Sequence, residues 1–183
     1  MKPLAGKLLV AAPQLQDPNF AQTVVLMLRH EDEGALGVIL NRPGDKTVDD
    51  VWEMIDKQPF GRDQFVHVGG PVPGPLIALH NQEPLGESQV LRGLYMSMQR
   101  DSIEQLVQTP EAEFRLYSGH AGWGGGQLEG ELTAGGWLTS AAVCDDVFAA
   151  AESLWKHVCN RIGRGIVAPN IRPEQIPPDP SVN

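Results

Sequence analysis

From Leu116 to Glu129 the chain reads Leu-Tyr-Ser-Gly-His-Ala-Gly-Trp-Gly-Gly-Gly-Gln-Leu-Glu, with five glycines among the eight residues Gly119 to Gly126. Such a loop either closes its backbone on an anion at a helix N-terminus or lets a helix pack very near a sheet. Phosphate chemistry makes definite demands on it. A Walker loop needs a lysine and a hydroxyl after its second glycine, and here Gly125 and Gly126 follow Gly124. A dinucleotide fingerprint begun at Gly122 meets Gln127 at its last glycine position, and begun at Gly124 it meets Glu129. Both fail. A generic anion site remains, weakened by the charges of Glu129 and Glu131. The alternative is tight packing of backbone against Trp123 and a sheet.

The other reactive residues fare no better as motifs. Ser118 has Leu116 and His120 where a nucleophile elbow requires glycines. Cys144 sits beside Asp145 and Asp146, carboxylates that disfavour its thiolate. The histidines His30, His67, His80, His120 and His157 form no local pair with metal spacing. Three of them, His67, His80 and His120, lie near expected strand ends beside glycine loops and could converge in the fold. Glu31-Asp32-Glu33 lacks the spaced oxygens and glycine of a calcium loop and reads as a solvated turn. No metal or cofactor is therefore expected.

Composition narrows the classes further. The 183 residues, 42% hydrophobic, suffice for one sizeable core. A net charge of -9 opposes a phosphate backbone, so direct nucleic-acid binding is disfavoured. The densest basic cluster, Lys156, Arg161 and Arg164, is a poor footprint for DNA. Cys144 and Cys159 lack metal or redox spacing and read as two buried thiols. Without a signal-like start or an apolar run of membrane length, the expected location is cytoplasmic.

The elements that must position these residues are short, as fifteen prolines and twenty glycines require. Leu8–Ala12, Thr23–Leu28 and Ala35–Leu40 read as strands, the last two as a hairpin apolar on nearly every position and so covered on both faces. Asn41-Arg42-Pro43-Gly44 breaks that pattern. Thr47 caps a helix, with Asp50 completing a weakened capping box and Val48, Val51, Trp52 and Ile55 on one face. Phe65–Val68, Leu76–His80, Leu94–Met98 and Phe114–Tyr117 are further strands, and Asn81–Ser88 is a polar loop. Asp101 or Ser102 caps a helix bearing Ile103, Leu106 and Val107. Gln127–Leu132 is a short helix ended by Gly135-Gly136, and Trp137–Thr139 a strand. Ala151–Ile162 is a helix stopped by Gly163. Trp52, Trp137 and Trp155 belong to the core, while Trp123 in its glycine loop is expected to be partly exposed. The sum is an α+β fold, one compact domain over residues 1–172 with a mixed, largely antiparallel sheet flanked by helices, then a proline-rich extended or disordered tail at 173–183.

Several blocks in order carry a family pattern: Gly6-Lys7-Leu8-Leu9-Val10-Ala11-Ala12-Pro13; Asp17-Pro18-Asn19-Phe20; Thr23-Val24-Val25 with His30; Gly34 to Pro43; Gly69-Gly70-Pro71-Val72 with Leu79-His80; Gly119 to Glu129; and Trp137-Leu138. Over residues 6–163 the chain resembles the YqgE/AlgH family of small bacterial proteins, with His120 where that family typically carries tyrosine. The resemblance implies a compact α+β domain and an association with transcriptional regulation of alginate production, without a defined chemistry. Its matching polar and glycine residues give the candidate ligand-binding surface: Asp17, His30, Asn41, Arg42, Gly69, Gly70, His80, Gly119, Gly122, Trp123 and Gln127. Arg42 offers a planar fork of donors to an anion, and Asn41 and Gln127 could orient a polar ligand; a capped turn explains Asn41-Arg42-Pro43 equally well. A non-enzymatic binding or regulatory module, acting through a small ligand or protein partner, is the first expectation. An enzyme on a small polar or anionic metabolite, with His80 as general base and Arg42 as clamp, is the second, and a direct DNA-binding regulator the third.

Overall fold

Leu40 and Gly119 are the points where the chain passes between two sheets, and the architecture follows from those crossings. The computed structural model describes residues 3–167. The first sheet contains β1 (Lys7–Ala11), β2 (Val24–Glu31), β3 (Gly34–Ile39), β10 (Ala121–Gly124) and β11 (Trp137–Ala141), in the order β10-β3-β2-β1-β11. All of its pairs are antiparallel. The second contains β4 (Pro43–Thr47), β5 (Phe65–Val68), β6 (Ile77–His80), β7 (Ser88–Leu91), β8 (Leu94–Ser97) and β9 (Phe114–Ser118), in the order β4-β5-β9-β6-β8-β7. Its β5–β9 pair is parallel and the rest antiparallel. The fold is α+β with mixed, largely antiparallel strands, divided between two sheets where one was expected.

Alternation along the strands sorts the core into three layers. Leu8, Val10, Val24 and Leu26 of the first sheet meet Ile77, Leu79 and Tyr117 of the second, with Val147 of α4 (Cys144–Phe148) and Leu154 and Val158 of α5 (Ala151–Val167). The opposite face of the first sheet packs Leu9, Val25, Met27, Trp123 and Trp137 against Leu128 of α3 (Gln127–Thr133). The opposite face of the second packs Ala78, Phe114 and Leu116 against Trp52 of α1 (Val48–Met54) and Ile103, Leu106 and Val107 of α2 (Arg100–Gln108). Each aliphatic side chain of this size withdrawn from water contributes about 1.5–3 kcal/mol. A strand buried on both faces, as β1 to β3 are, is therefore held in register strongly.

Local chemistry sets the helix ends. Thr47 Oγ accepts from the Asp50 amide at 3.1 Å while its own N–H donates to Asp50 at 2.7 Å, completing the anticipated capping box. The Thr47 backbone N–H first, and then its hydroxyl, hold the Asp50 carboxyl below its usual range. Ile55 is the C-cap of α1 and stands 47% exposed, outside the buried face it was assigned to. Neither Asp101 nor Ser102 caps α2: its N-cap is Gln99, without a side-chain bond, and Asp101 lies in the first turn. Gly163 does not end α5, which continues to Val167 because an isolated glycine costs a helix only about 1 kcal/mol. Besides β10 in the glycine loop, two strands lie where loops were expected: β4 starts within Asn41–Gly44, and β7 begins at the end of the polar stretch, after a 3-10 turn at Glu83–Leu85. Helix α4 had no counterpart in the sequence reading; Asp146 anchors it, accepting the Val143 amide at 3.0 Å and both Arg161 nitrogens at 3.0 Å. Cys144 and Cys159 are free and half-buried. Among the described residues no helix is long and apolar enough to cross a membrane. The proline-rich tail at 173–183 lies outside the described residues.

Candidate binding site

The glycine motifs make the seam between the sheets. Gly69 donates to the Ser118 carbonyl and accepts from the Ile39 amide, both at 2.8 Å, and Val72 and His120 exchange bonds at 3.0 and 2.9 Å. A Cβ on Gly69 would overlap the Gly119 carbonyl, and one on Gly70 would overlap the His120 backbone. Gly119 holds φ +72° with the Gly70 and Val72 carbonyls against it. Here the backbones touch one another, and close packing accounts for Gly69, Gly70 and Gly119. Beyond the seam, Gly122 to Gly124 belong to edge strand β10, so the expected loop is half strand. Trp123 alternates inward and is 5% exposed, against the partial exposure expected of it.

Several other candidates are occupied by the fold. Asn41 Oδ1 accepts the Val24 amide at 2.8 Å and its Nδ2 donates to the Gln22 carbonyl at 2.9 Å. Arg42 donates to the Pro18 carbonyl at 3.1 Å, clamping the loop that carries Asp17. His80 is fully buried: Nδ1 accepts the Gln82 amide at 3.2 Å and Nε2–H donates to Ser97 Oγ at 3.0 Å. Both nitrogens are committed, and burial lowers its pKa. His30 is a rivet between segments. Its Nδ1 accepts the Leu4 amide at 3.2 Å and its Nε2 meets Glu129 at 2.8 Å. The Glu129 carboxyl is held low by its own backbone N–H and then by His30. His67 stands on β5 and His80 on β6, to either side of β9, and His120 at the seam; among the described residues no three metal-ligating side chains gather.

Asp17, Trp123 and Gln127 do come together, on the outer face of the first sheet. Phe20 stacks on Trp123 at 6.0 Å and meets Trp137 edge-on at 5.4 Å, and the two indoles cross at 6.0 Å. Glu131, one turn beyond Gln127 on α3, joins them. One of its oxygens accepts both indole N–H groups, at 3.0 and 2.8 Å, and the other accepts Gln127 Nε2 at 2.9 Å. Gln127 Oε1 in turn accepts the Gly124 amide at 3.1 Å, bonding α3 to the edge strand. Beside this network lies a cleft of 450 Å³ bounded by the Gln14–Phe20 loop, α3 and Trp137. Asp17, Glu131, Gln127 and Phe20 face it, and no lysine or arginine among the described residues does.

Two solved structures share this arrangement of elements. The solution structure of the AlgH protein from Pseudomonas aeruginosa superposes with a TM-score of 0.76 at 31% identity, over 93% of this chain and 96% of that one. The crystal structure of protein DIP2367 from Corynebacterium diphtheriae gives 0.72 at 26% identity, over 88% of each. The family model described as AlgH-like matches residues 8–166. The chain belongs to the AlgH-like family. Relatives include a UPF0301 protein of Myxococcus xanthus, 38% identical over 89% of this chain and 93% of its own, and one of Streptomyces coelicolor, 38% identical over 98% and 95%.

Within this AlgH-like chain, sequence reading missed Phe20, Glu131 and Trp137 as partners of the candidate surface. One signal was available. Trp137, assigned to a strand and the core, needs an acceptor for its indole N–H, and Glu131, four residues after Gln127 on the preceding helix, is a near supplier.

Proposed function

We propose that this protein is a non-enzymatic binding module whose cleft takes a cationic group, an ammonium or guanidinium. The observation that supports this reading is Glu131: a carboxylate fixed by three N–H donors at the wall of a cleft that Asp17 also lines and, among the described residues, no lysine or arginine does. Its orientation is set before any ligand arrives, so little conformational entropy is lost on binding. Phe20 adds an aromatic face, worth about 0.5–2 kcal/mol to a cation stacked on it. The chain's charge of -9 favours the same sign of ligand at longer range. The cation can belong to a small amine or to a lysine or arginine of a partner protein. An anionic metabolite is disfavoured here, since Arg42 is engaged with Pro18, and a general-base role for His80 is disfavoured by its two hydrogen bonds.

A thermal-shift series tests the sign of the ligand. Butylguanidine, butylamine and a short arginine-lysine peptide are compared with acetate and phosphate at matched ionic strength. Cations alone should raise the melting temperature, because a ligand that binds only the folded state stabilises it. A larger response to the peptide than to the amines identifies a protein partner as the source. Stabilisation by the anions alone, or by none of the five, counts against the reading.

A further inference from the structure

On the opposite side of the central core a second cleft, of 620 Å³, opens between the β5–β9 end of the second sheet and the turn from α4 into α5. Arg115 lines it from β9, His67 from β5 and Glu152 from the first turn of α5, with Phe65, Phe148 and Pro43 as apolar walls.

The polar groups in this cleft divide into donors and acceptors. Arg115 is half-buried, and its guanidinium donates to the Phe148 and Ala149 carbonyls at 3.2–3.3 Å. Those acceptors are neutral, and among the described residues no carboxylate pairs with it. A half-buried cation satisfied only by carbonyl dipoles retains attraction for an anion. Arg115 is the donor of the cleft; Tyr117, two residues along the same strand, is fully buried in the central core and lies outside the cleft's lining.

His67 is the acceptor. It pairs in register with Tyr117, and their rings lie 5.8 Å apart. Its Nδ1 lies 3.2 Å from the Phe65 carbonyl, which can only accept, so Nδ1 carries the proton and Nε2 the lone pair. Burial, and then the Arg115 charge, push its pKa down to about 4, so the ring is neutral at ordinary pH. Glu152, whose charge also acts on His67, adds an exposed carboxylate acceptor, and Glu111 and Glu113 add two more at the rim.

We propose that this cleft binds a small zwitterion of the α-amino acid type, its carboxylate on Arg115 and its ammonium between His67 Nε2 and Glu152. A ligand with only one charge satisfies half of the site and meets repulsion from the other half. The apolar walls leave room for a side chain. This site is separate from the cleft beside Glu131, so either can fail without the other.

The test is a titration followed through the imidazole nitrogens of the full chain labelled at histidine. The probes are glycine, L-alanine and L-glutamate, with acetate, methylamine and N-acetylalanine as single-charge controls. The zwitterions should shift the His67 Nε2 resonance saturably, and the controls should bind at least about tenfold more weakly, the loss expected of one charge-assisted hydrogen bond. Arg115→Gln should abolish the shift. Because Arg115 also holds the α4–α5 turn, the exposed Glu152→Gln is the second variant: it should keep the fold and weaken zwitterions while binding acetate at least as well as wild type does. Absence of any His67 shift with all three zwitterions, or binding of acetate or methylamine as tight as that of the zwitterions, would overturn the proposal.

Discussion

The two ends of the glycine loop have the same composition and opposite physical reasons for it. At Gly119 and its partners Gly69 and Gly70, glycine is required because backbone lies where a Cβ would be. At Gly126 nothing lies within 4 Å of a Cβ, and glycine serves only the left-handed φ of +75° that turns the chain into α3. The first end closes the seam between the sheets; the second presents Gln127 and Glu131 to a cleft. Glycine density therefore marks a binding loop only where steric contact does not already explain it.

Substitutions separate the two ends. Gly70→Ala drives a methyl into the His120 backbone and should cost about 3 kcal/mol or more in urea unfolding, since neither backbone can withdraw. Glu131→Ala comes next: it strips the acceptor from two indole N–H groups, at about 1–3 kcal/mol for a group left unmade, and should lower the urea midpoint accordingly. Gly126→Ala should cost only about 1 kcal/mol, through φ alone. A loss at Gly126 as large as that at Gly70 would erase the distinction.

Acid sharpens the contrast between the two clefts. His67 titrates near 4 in the fold against an ordinary value of 6.5, so folding disfavours its protonation. That contribution is complete above about pH 6.5 and is lost as pH falls through about 4, on the order of 1–2 kcal/mol once solvent screening is allowed for. Wild type should lose this much more stability than His67→Gln between pH 7 and pH 4. Equal losses would place His67 in a more solvated setting than its burial indicates.

What could be read from the chain follows the strength of each local signal. Strands β1 to β3 were legible because both of their faces are buried and their apolar runs are continuous. Strand β10 was not, since Ala121-Gly122-Trp123-Gly124 has little β propensity and is held by backbone pairing to β3. Strand β4 carries Pro43 and Gly44 at a sheet edge, where proline is tolerated. The division into two sheets depends on the crossings at Leu40 and Gly119, long-range pairings that no local window contains. At the site, Asp17, Trp123 and Gln127 were found through family resemblance. Glu131 was set aside as a charge that weakens an anion site, although its position on α3 makes it the acceptor for both indoles.

The central claim is that a fixed carboxylate selects a cation, and it rests on charge at Glu131. Glu131→Gln keeps an amide oxygen to accept the two indole N–H groups and removes the charge, losing besides it only the exposed bond from Gln127 Nε2, whose acceptor becomes an NH2 donor. Isothermal titration of butylguanidine into wild type and Glu131→Gln, with unfolding measured on both, separates binding from stability. Saturable binding to wild type, at least about tenfold weaker in a variant of nearly unchanged stability, is the predicted result. Equal affinity in the two proteins, or no binding to folded wild type, would contradict it.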